Sequence, residues 1–116
     1  MTHMTIDKQL NSVELIKLTE VFGSQNKVAK LLDVDRSRIT RWSKGEGPDA
    51  MNAFKISGLI HLIRILNLEF NLDSIQKWFF GRNHHLNQQR PVELISQGKM
   101  DEVMHAALQD VAGSFA

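Results

Sequence analysis

The sequence predicts an all-α protein: an N-terminal helical unit built around a helix-turn-helix, joined to a small C-terminal helical unit. Three observations carry this. Apolar residues recur three or four apart through most of the chain. Gly, Pro, Asn and Asp punctuate those runs where helices must stop and start. No stretch alternates in period two between hairpin turns, so no strand is predicted.

The first five residues are expected to be a loose end. From Ile6 a helical pattern takes in Leu10, Val13, Leu15, Ile16, Leu18, Val21 and Phe22, all expected to face inward, with Asp7 or Ser12 as its cap. Gly23-Ser24 stops it. Residues 25–45 then read QNKVAKLLDVDRSRITRWSKG. Val28, Ala29, Leu31 and Leu32 form a narrow apolar face, and Asp33-Val34-Asp35 breaks it. Ile39 and Trp42, three apart, face inward in a second segment, with Val34 beside them. Ala29 is small where the two helices must approach closely. Asp35 is the expected N-cap, its carboxylate accepting from the N–H of Ser37 or Arg38. Gly45 supplies a left-handed stop. The second segment would be about 13 Å long at ~1.5 Å per residue, short enough for a major groove.

Its outward positions are Arg36, Ser37, Arg38, Thr40, Arg41 and Lys44. Residues 25–45 carry six cations, Lys27 and Lys30 included, against Asp33 and Asp35, a net of +4. The whole chain is +1, which leaves −3 for the remainder. Positive charge gathered on one helical pair attracts phosphate. This predicts DNA binding. Ser37, Arg38 and Arg41 are the candidates for base edges, with Thr40 secondary, because Arg suits a bidentate contact with guanine. Lys27, Lys30, Arg36 and Lys44 are the candidates for phosphate.

Glu46-Gly47-Pro48-Asp49 is a firm break, with Asp49 placed to cap the next helix. That helix, about 50–66, is apolar nearly all round: Met51, Phe54, Ile56, Leu59, Ile60, Leu62, Ile63, Ile65 and Leu66. It is expected to be central, joining the two halves, with part of it available to a dimer interface. Asn71 or Asp73 starts a helix holding Leu72, Ile75, Trp78 and Phe79, which Gly81 ends. A polar turn over 82–89 has Leu86 as its apolar anchor. Pro91 opens a short helix with Leu94 and Ile95 inward, and Gly98 ends it. Lys99 or Asp101 opens the last helix, expected to bury Met100 or Val103, then Met104, Ala107, Leu108 and Val111, and to stop at Gly113. The expected boundary places the helix-turn-helix region at 6–48 and the second unit at 49–116.

The composition excludes several classes. A hydrophobic fraction of 42% is too high for disorder. With no cysteine there is neither a disulfide framework nor a thiolate metal site, which fits a cytoplasmic protein. No apolar leader is seen. Residues 56–68 are interrupted by Ser57, Gly58, His61, Arg64 and Asn67, so they do not span a membrane. His84-His85 cannot both point the same way on a helix, and no His-x3-His spacing occurs, so no metal site is expected. No Ser/His/Asp arrangement or phosphate loop suggests an enzyme or a cofactor. Trp42 and Trp78 are expected to close small cores, and Phe80 or Phe115 to offer a partner an exposed aromatic.

The back half carries one more signal. Trp78-Phe79 is followed in order by Asn83, Leu86, Pro91-Val92-Glu93-Leu94-Ile95, Gly98, Val103, Leu108 and Gly113. This series resembles the toxin-binding domain of the Xre/MbcA/ParS antitoxin family, which likewise follows an Xre-like helix-turn-helix. The chain departs from that pattern at Arg82, at His84-His85 and at Gln89-Arg90. The resemblance implies a type II antitoxin, not itself catalytic. It would cover the active-site entrance of a RES-domain toxin that consumes NAD and would repress its own promoter as a dimer or a larger complex with the toxin. It implies toxin contacts at Arg82, Asn83, Arg90 and the C-terminal Gly113, Ser114, Phe115 and Ala116. The alternative is a stand-alone helix-turn-helix regulator whose second unit serves oligomerisation.

Overall fold

A computed structural model describes the backbone of residues 2–114 and the side chains of residues 12–114. These residues form seven α-helices and no strand. The helices are α1 (Thr2–Phe22), α2 (Gln25–Leu32), α3 (Arg36–Ser43), α4 (Ala50–Leu66), α5 (Leu72–Phe80), α6 (Pro91–Ser96) and α7 (Met100–Ser114), with a 3-10 turn at His84–Leu86 before α6. The chain divides into two compact units, Met1–Ile60 and His61–Ala116.

In the first unit, α1 packs against both α2 and α3, which also pack on each other. α1 begins at Thr2, earlier than the pattern suggested, so Asp7 and Ser12 lie inside the helix rather than at its cap. Leu15, Leu18, Val21 and Phe22 are buried. Val13 and Ile16 are exposed, against expectation. At ~100° per residue they stand roughly 160° and 100° round the helix from Leu15, beyond the buried stripe. Ile6 and Leu10 lie outside the described side chains. The Ser12 hydroxyl donates to the Trp42 carbonyl at 3.1 Å, tying α1 to the end of α3.

Local chemistry sets the two short helices. Gly23 takes φ +94 and its N–H returns to the Thr19 carbonyl at 2.8 Å, closing α1. Ser24 is extended, and its hydroxyl accepts from the N–H of Lys27 at 3.2 Å, capping α2. Asp33 turns left-handed and Val34 N–H reaches the Ala29 carbonyl at 2.9 Å, so the break is a tight C-cap. Asp35 holds the N-cap position of α3 but makes no side-chain cap hydrogen bond, correcting that expectation. Its carbonyl instead accepts from Arg38 N–H at 3.0 Å. Val28, Ala29, Leu31, Leu32, Ile39 and Trp42 are buried as predicted, and Val34 is half-buried. Gly45 takes φ +101 and its N–H meets the Trp42 carbonyl at 3.0 Å, ending α3 where expected.

The division between units falls inside α4. Ile56, Leu59, Ile60, Leu62, Ile63 and Leu66 are buried, but Met51 and Phe54 in its first turns are exposed, so the helix is not buried all round. In the second unit α5 packs on α6, and α7 packs on α6 and the 3-10 turn. Asn71 is the cap of α5, its side chain accepting from Ser74 N–H at 2.9 Å. Ile75 and Phe79 are buried, while Leu72 is exposed and Trp78 half-buried. Gly81 caps the end of α5 with its N–H on the Lys77 carbonyl at 2.8 Å, and a Cβ there would lie 2.9 Å from that oxygen. Leu86 is the buried anchor of the following loop, and Pro91, Leu94 and Ile95 are buried in α6. α7 buries Val103, Ala106, Ala107 and Val111. Leu108 is exposed, since it stands about 140° round from Val103. The helix runs through Gly113 to Ser114 rather than stopping at the glycine.

Candidate functional site

On the first unit, the outward face of α3 and the neighbouring end of α2 hold the residues the sequence singled out. Lys27, Lys30, Arg36, Ser37, Arg41 and Lys44 are exposed. Arg38 and Thr40 are half-buried. Thr40 is held in place, its hydroxyl lying 3.3 Å from both Gln25 Oε1 and the Arg36 carbonyl. None of the eight is turned into the core.

The two arginines chosen for base contacts are each met by a carboxylate from the segment after α3. Arg38 Nη2 donates to Asp49 Oδ1 at 3.3 Å, and its guanidinium carbon lies 5.2 Å from the centre of the Trp42 ring. Arg41 Nε lies 3.3 Å from Glu46 Oε2. Asp49 is itself anchored: Asn52 Nδ2 donates to the same Oδ1 at 2.7 Å, and Asn52 is buried. The Asp49 carboxyl is held below its ordinary value, first by the Asn52 side-chain amide. Slight burial opposes this, while the backbone N–H groups of Asp49 and Asn52 and the Arg38 charge add to it. The Asn52 N–H contribution fits the expected N-cap role of Asp49.

Counting charge only to Gly45 missed this return of the chain. Gly45 and Gly47, at φ +101 and +82, swing the segment back. Extended to Asp49, the cationic segment has six cations against four carboxylates, a net of +2. The glycines flanking Glu46 were the available signal.

In the second unit the centre of polar contacts is Asp110, which the sequence reading passed over. Its Oδ2 accepts from Trp78 Nε1 at 2.7 Å and from Asn83 Nδ2 at 2.9 Å. Its Oδ1 lies 3.1 Å from His85 Nε2. Asn83 also accepts at its side-chain oxygen from His85 N–H at 2.9 Å, and its own N–H reaches the Gln89 carbonyl. One α7 carboxylate thus fastens the end of α5 and the following loop. Asp110 lies seven residues after Val103, along the buried stripe of α7, where a carboxylate needs donors. That spacing was the signal.

The residues implied as toxin contacts are spread over this unit. Arg82 is exposed and donates from Nη1 to the Gln88 carbonyl at 3.3 Å. Arg90 is half-exposed and pairs with Glu93 at 3.2 Å. Asn83 is buried, its amide engaged within the unit. Gly113 and Ser114 are exposed on the last turn of α7, and Phe115 and Ala116 lie outside the described residues. Phe80 is exposed. His84 and His85 sit on the 3-10 turn rather than a helix, with rings 4.0 Å apart. An open cavity of about 390 Å³ is lined by His85, Gln89, Asp101, Glu102 and His105 among others. Among the described residues no group of three or more His, Cys, Asp or Glu is disposed to hold a metal ion, and no helix is long and apolar enough to cross a membrane.

The chain is similar over its length to an antitoxin. The relative is the Probable mycobacterial cidal antitoxin Rv3188 of Mycobacterium tuberculosis, 24% identical over 114 residues that make up 97% of each chain. No protein-family model matches the chain, and no solved structure matches it.

Proposed function

We propose that this chain is a type II antitoxin that neutralises a partner toxin and represses its own operon by binding promoter DNA. The observation that carries the first part is the end-to-end similarity to a protein named as an antitoxin, with 97% of both chains aligned. The ordered residues from Trp78 to Gly113 that resemble the Xre/MbcA/ParS toxin-binding domain support a RES-domain, NAD-consuming toxin as the partner. The antitoxin performs no catalysis. It covers the toxin's active-site entrance with Arg82, Arg90 and the C-terminal residues Gly113, Ser114, Phe115 and Ala116. Asn83, engaged by Asp110, shapes the loop that presents Arg82.

DNA repression rests on the exposed cationic face of α2 and α3, read as a helix-turn-helix. Ser37, Arg38 and Arg41 meet base edges, with Thr40 secondary, while Lys27, Lys30, Arg36 and Lys44 meet phosphates. The protein works in the cytoplasm, as a homodimer or in a larger complex with toxin.

Co-expression with the product of the adjacent reading frame tests both parts. The expected result is co-purification, restored growth and preserved cellular NAD, together with retarded migration of the upstream DNA. Retarded DNA with no captured neighbour and no protection of NAD would refute the antitoxin role and leave a stand-alone regulator. A captured toxin with no DNA retardation at low salt would refute the repressor role alone.

A further inference from the structure

We infer that Asp49, held by the buried Asn52, is a positioning residue that sets base specificity through Arg38. The inference rests on the DNA-binding reading above and deepens it.

An arginine on a helix surface samples many rotamers, and each must be given up when it docks on a base. Arg38 is constrained on two sides before any DNA arrives. The Trp42 ring lies 5.2 Å from its guanidinium carbon, and Asp49 Oδ1 accepts from its Nη2 at 3.3 Å. The carboxylate is fixed in its turn, because Asn52, a residue only 8% exposed, donates to the same oxygen at 2.7 Å. Asn52 belongs to the first turn of α4, so a backbone element outside α3 determines where the guanidinium points.

The pairing leaves Arg38 able to act. A guanidinium has five N–H groups in a planar fork, and bidentate recognition of guanine uses two. One contact to Asp49 leaves enough donors for O6 and N7. The Arg38 side chain remains 39% exposed, so the fork is still accessible.

The neighbouring pair is more exposed. The Arg41 and Glu46 side chains are 55% and 57% exposed, against 39% and 49% for Arg38 and Asp49, and an ion pair holds less as exposure rises. Asp49 also keeps its charge to lower pH than an ordinary aspartate, with Asn52 the largest cause.

The experiment measures the ratio of dissociation constants for a scrambled duplex and for the chain's own upstream DNA, using the full-length protein. A bidentate arginine–guanine contact is worth about 5- to 150-fold in discrimination. Asp49→Asn removes a negative charge, so affinity for the scrambled duplex should rise, while the specificity ratio should fall at least about fivefold. Asn52→Ala leaves the net charge unaltered and should lower the ratio with little change in scrambled-duplex affinity. Asp49→Glu should recover part of the lost ratio. In an Arg38→Ala background, Asp49→Asn should cost no further specificity. Helical circular dichroism and the melting curve confirm that each variant is folded.

A ratio unchanged by Asp49→Asn, or lowered equally with and without Arg38, overturns the positioning role while the DNA-binding reading stands. A wild-type protein that does not distinguish its upstream DNA from the scrambled duplex overturns that reading, and the positioning role with it.

Discussion

Replacing Asp110 with Ala should destabilise the second unit by about 3 kcal/mol. The carboxylate receives Trp78 Nε1 at 2.7 Å and Asn83 Nδ2 at 2.9 Å on one oxygen, and faces His85 Nε2 at 3.1 Å on the other. Truncation leaves the indole and the buried amide without their acceptor, at about 1–3 kcal/mol for each unsatisfied donor. The Asp110 side chain is 20% exposed, so water compensates in part, and the more exposed His85 adds little. Asp110→Asn should cost less, about 1 kcal/mol, because its remaining oxygen can still serve both Trp78 and Asn83. Urea denaturation followed by Trp78 fluorescence, with Trp42→Phe silencing the other indole, reports on this unit. A loss below about 0.5 kcal/mol for Asp110→Ala, or equal losses for Ala and Asn, would refute the idea that one shared oxygen organises the site; that threshold is typical of a neutral surface change.

Further outcomes follow from the same geometry. Gly81→Ala forces a Cβ to within 2.9 Å of the Lys77 carbonyl oxygen, so the end of α5 must shift; thermal melting should show a loss of about 1–3 kcal/mol. The folded-state depression of the Asp49 pKa means its contribution to stability is present above the ordinary value of 3.8 and disappears as pH falls through the lower folded value. Wild type and Asp49→Asn should therefore differ in melting temperature at neutral pH and converge at acid pH; a constant difference would contradict the linkage. Deleting residues 113–116 should weaken toxin neutralisation in a growth assay and leave DNA retardation intact.

Much of this arrangement was legible because its causes are local. Helical period, Pro91 and the glycines at 23, 45, 81 and 98 act within a few residues, so the helix limits beside them and the inward placement of Ile39 and Trp42 could be read directly, whereas the start of α1 and the end of α7 could not. Val13, Ile16, Met51, Phe54 and Leu108 were misplaced for one reason. Apolar identity shows what a residue tolerates, whereas burial depends on how wide a face the neighbouring helices cover. A small unit covers only part of each helix. Asp35 failed as a side-chain cap although its residue type and position were right, because Arg38 N–H is satisfied by its carbonyl.

The Asp110 contacts were harder to read, because Trp78 and Asn83 lie 32 and 27 residues away in sequence. Side-chain pairs at that separation leave no periodic trace. The usable sign was a charged residue in register with Val103 on an otherwise apolar stripe.

The same kind of distant return changes what the charge pattern means for DNA. Six cations in residues 25–45 suggested broad phosphate attraction, yet Arg38 and Arg41 lie 3.3 Å from Asp49 and Glu46. On the proposed reading, phosphate attraction falls chiefly to Lys27, Lys30, Arg36 and Lys44, all exposed. Four phosphate contacts correspond to a logarithmic salt slope of about −3.6 per chain, at ~0.9 per contact. Were both arginines also to leave their carboxylates for phosphate, the slope would approach about −5.4. Binding to upstream DNA over a range of salt concentrations, normalised per chain, separates these cases. The shallower slope fits arginines that stay paired and read bases; the steeper one would mean that DNA pulls them away, and that Asp49 restrains binding instead of directing it.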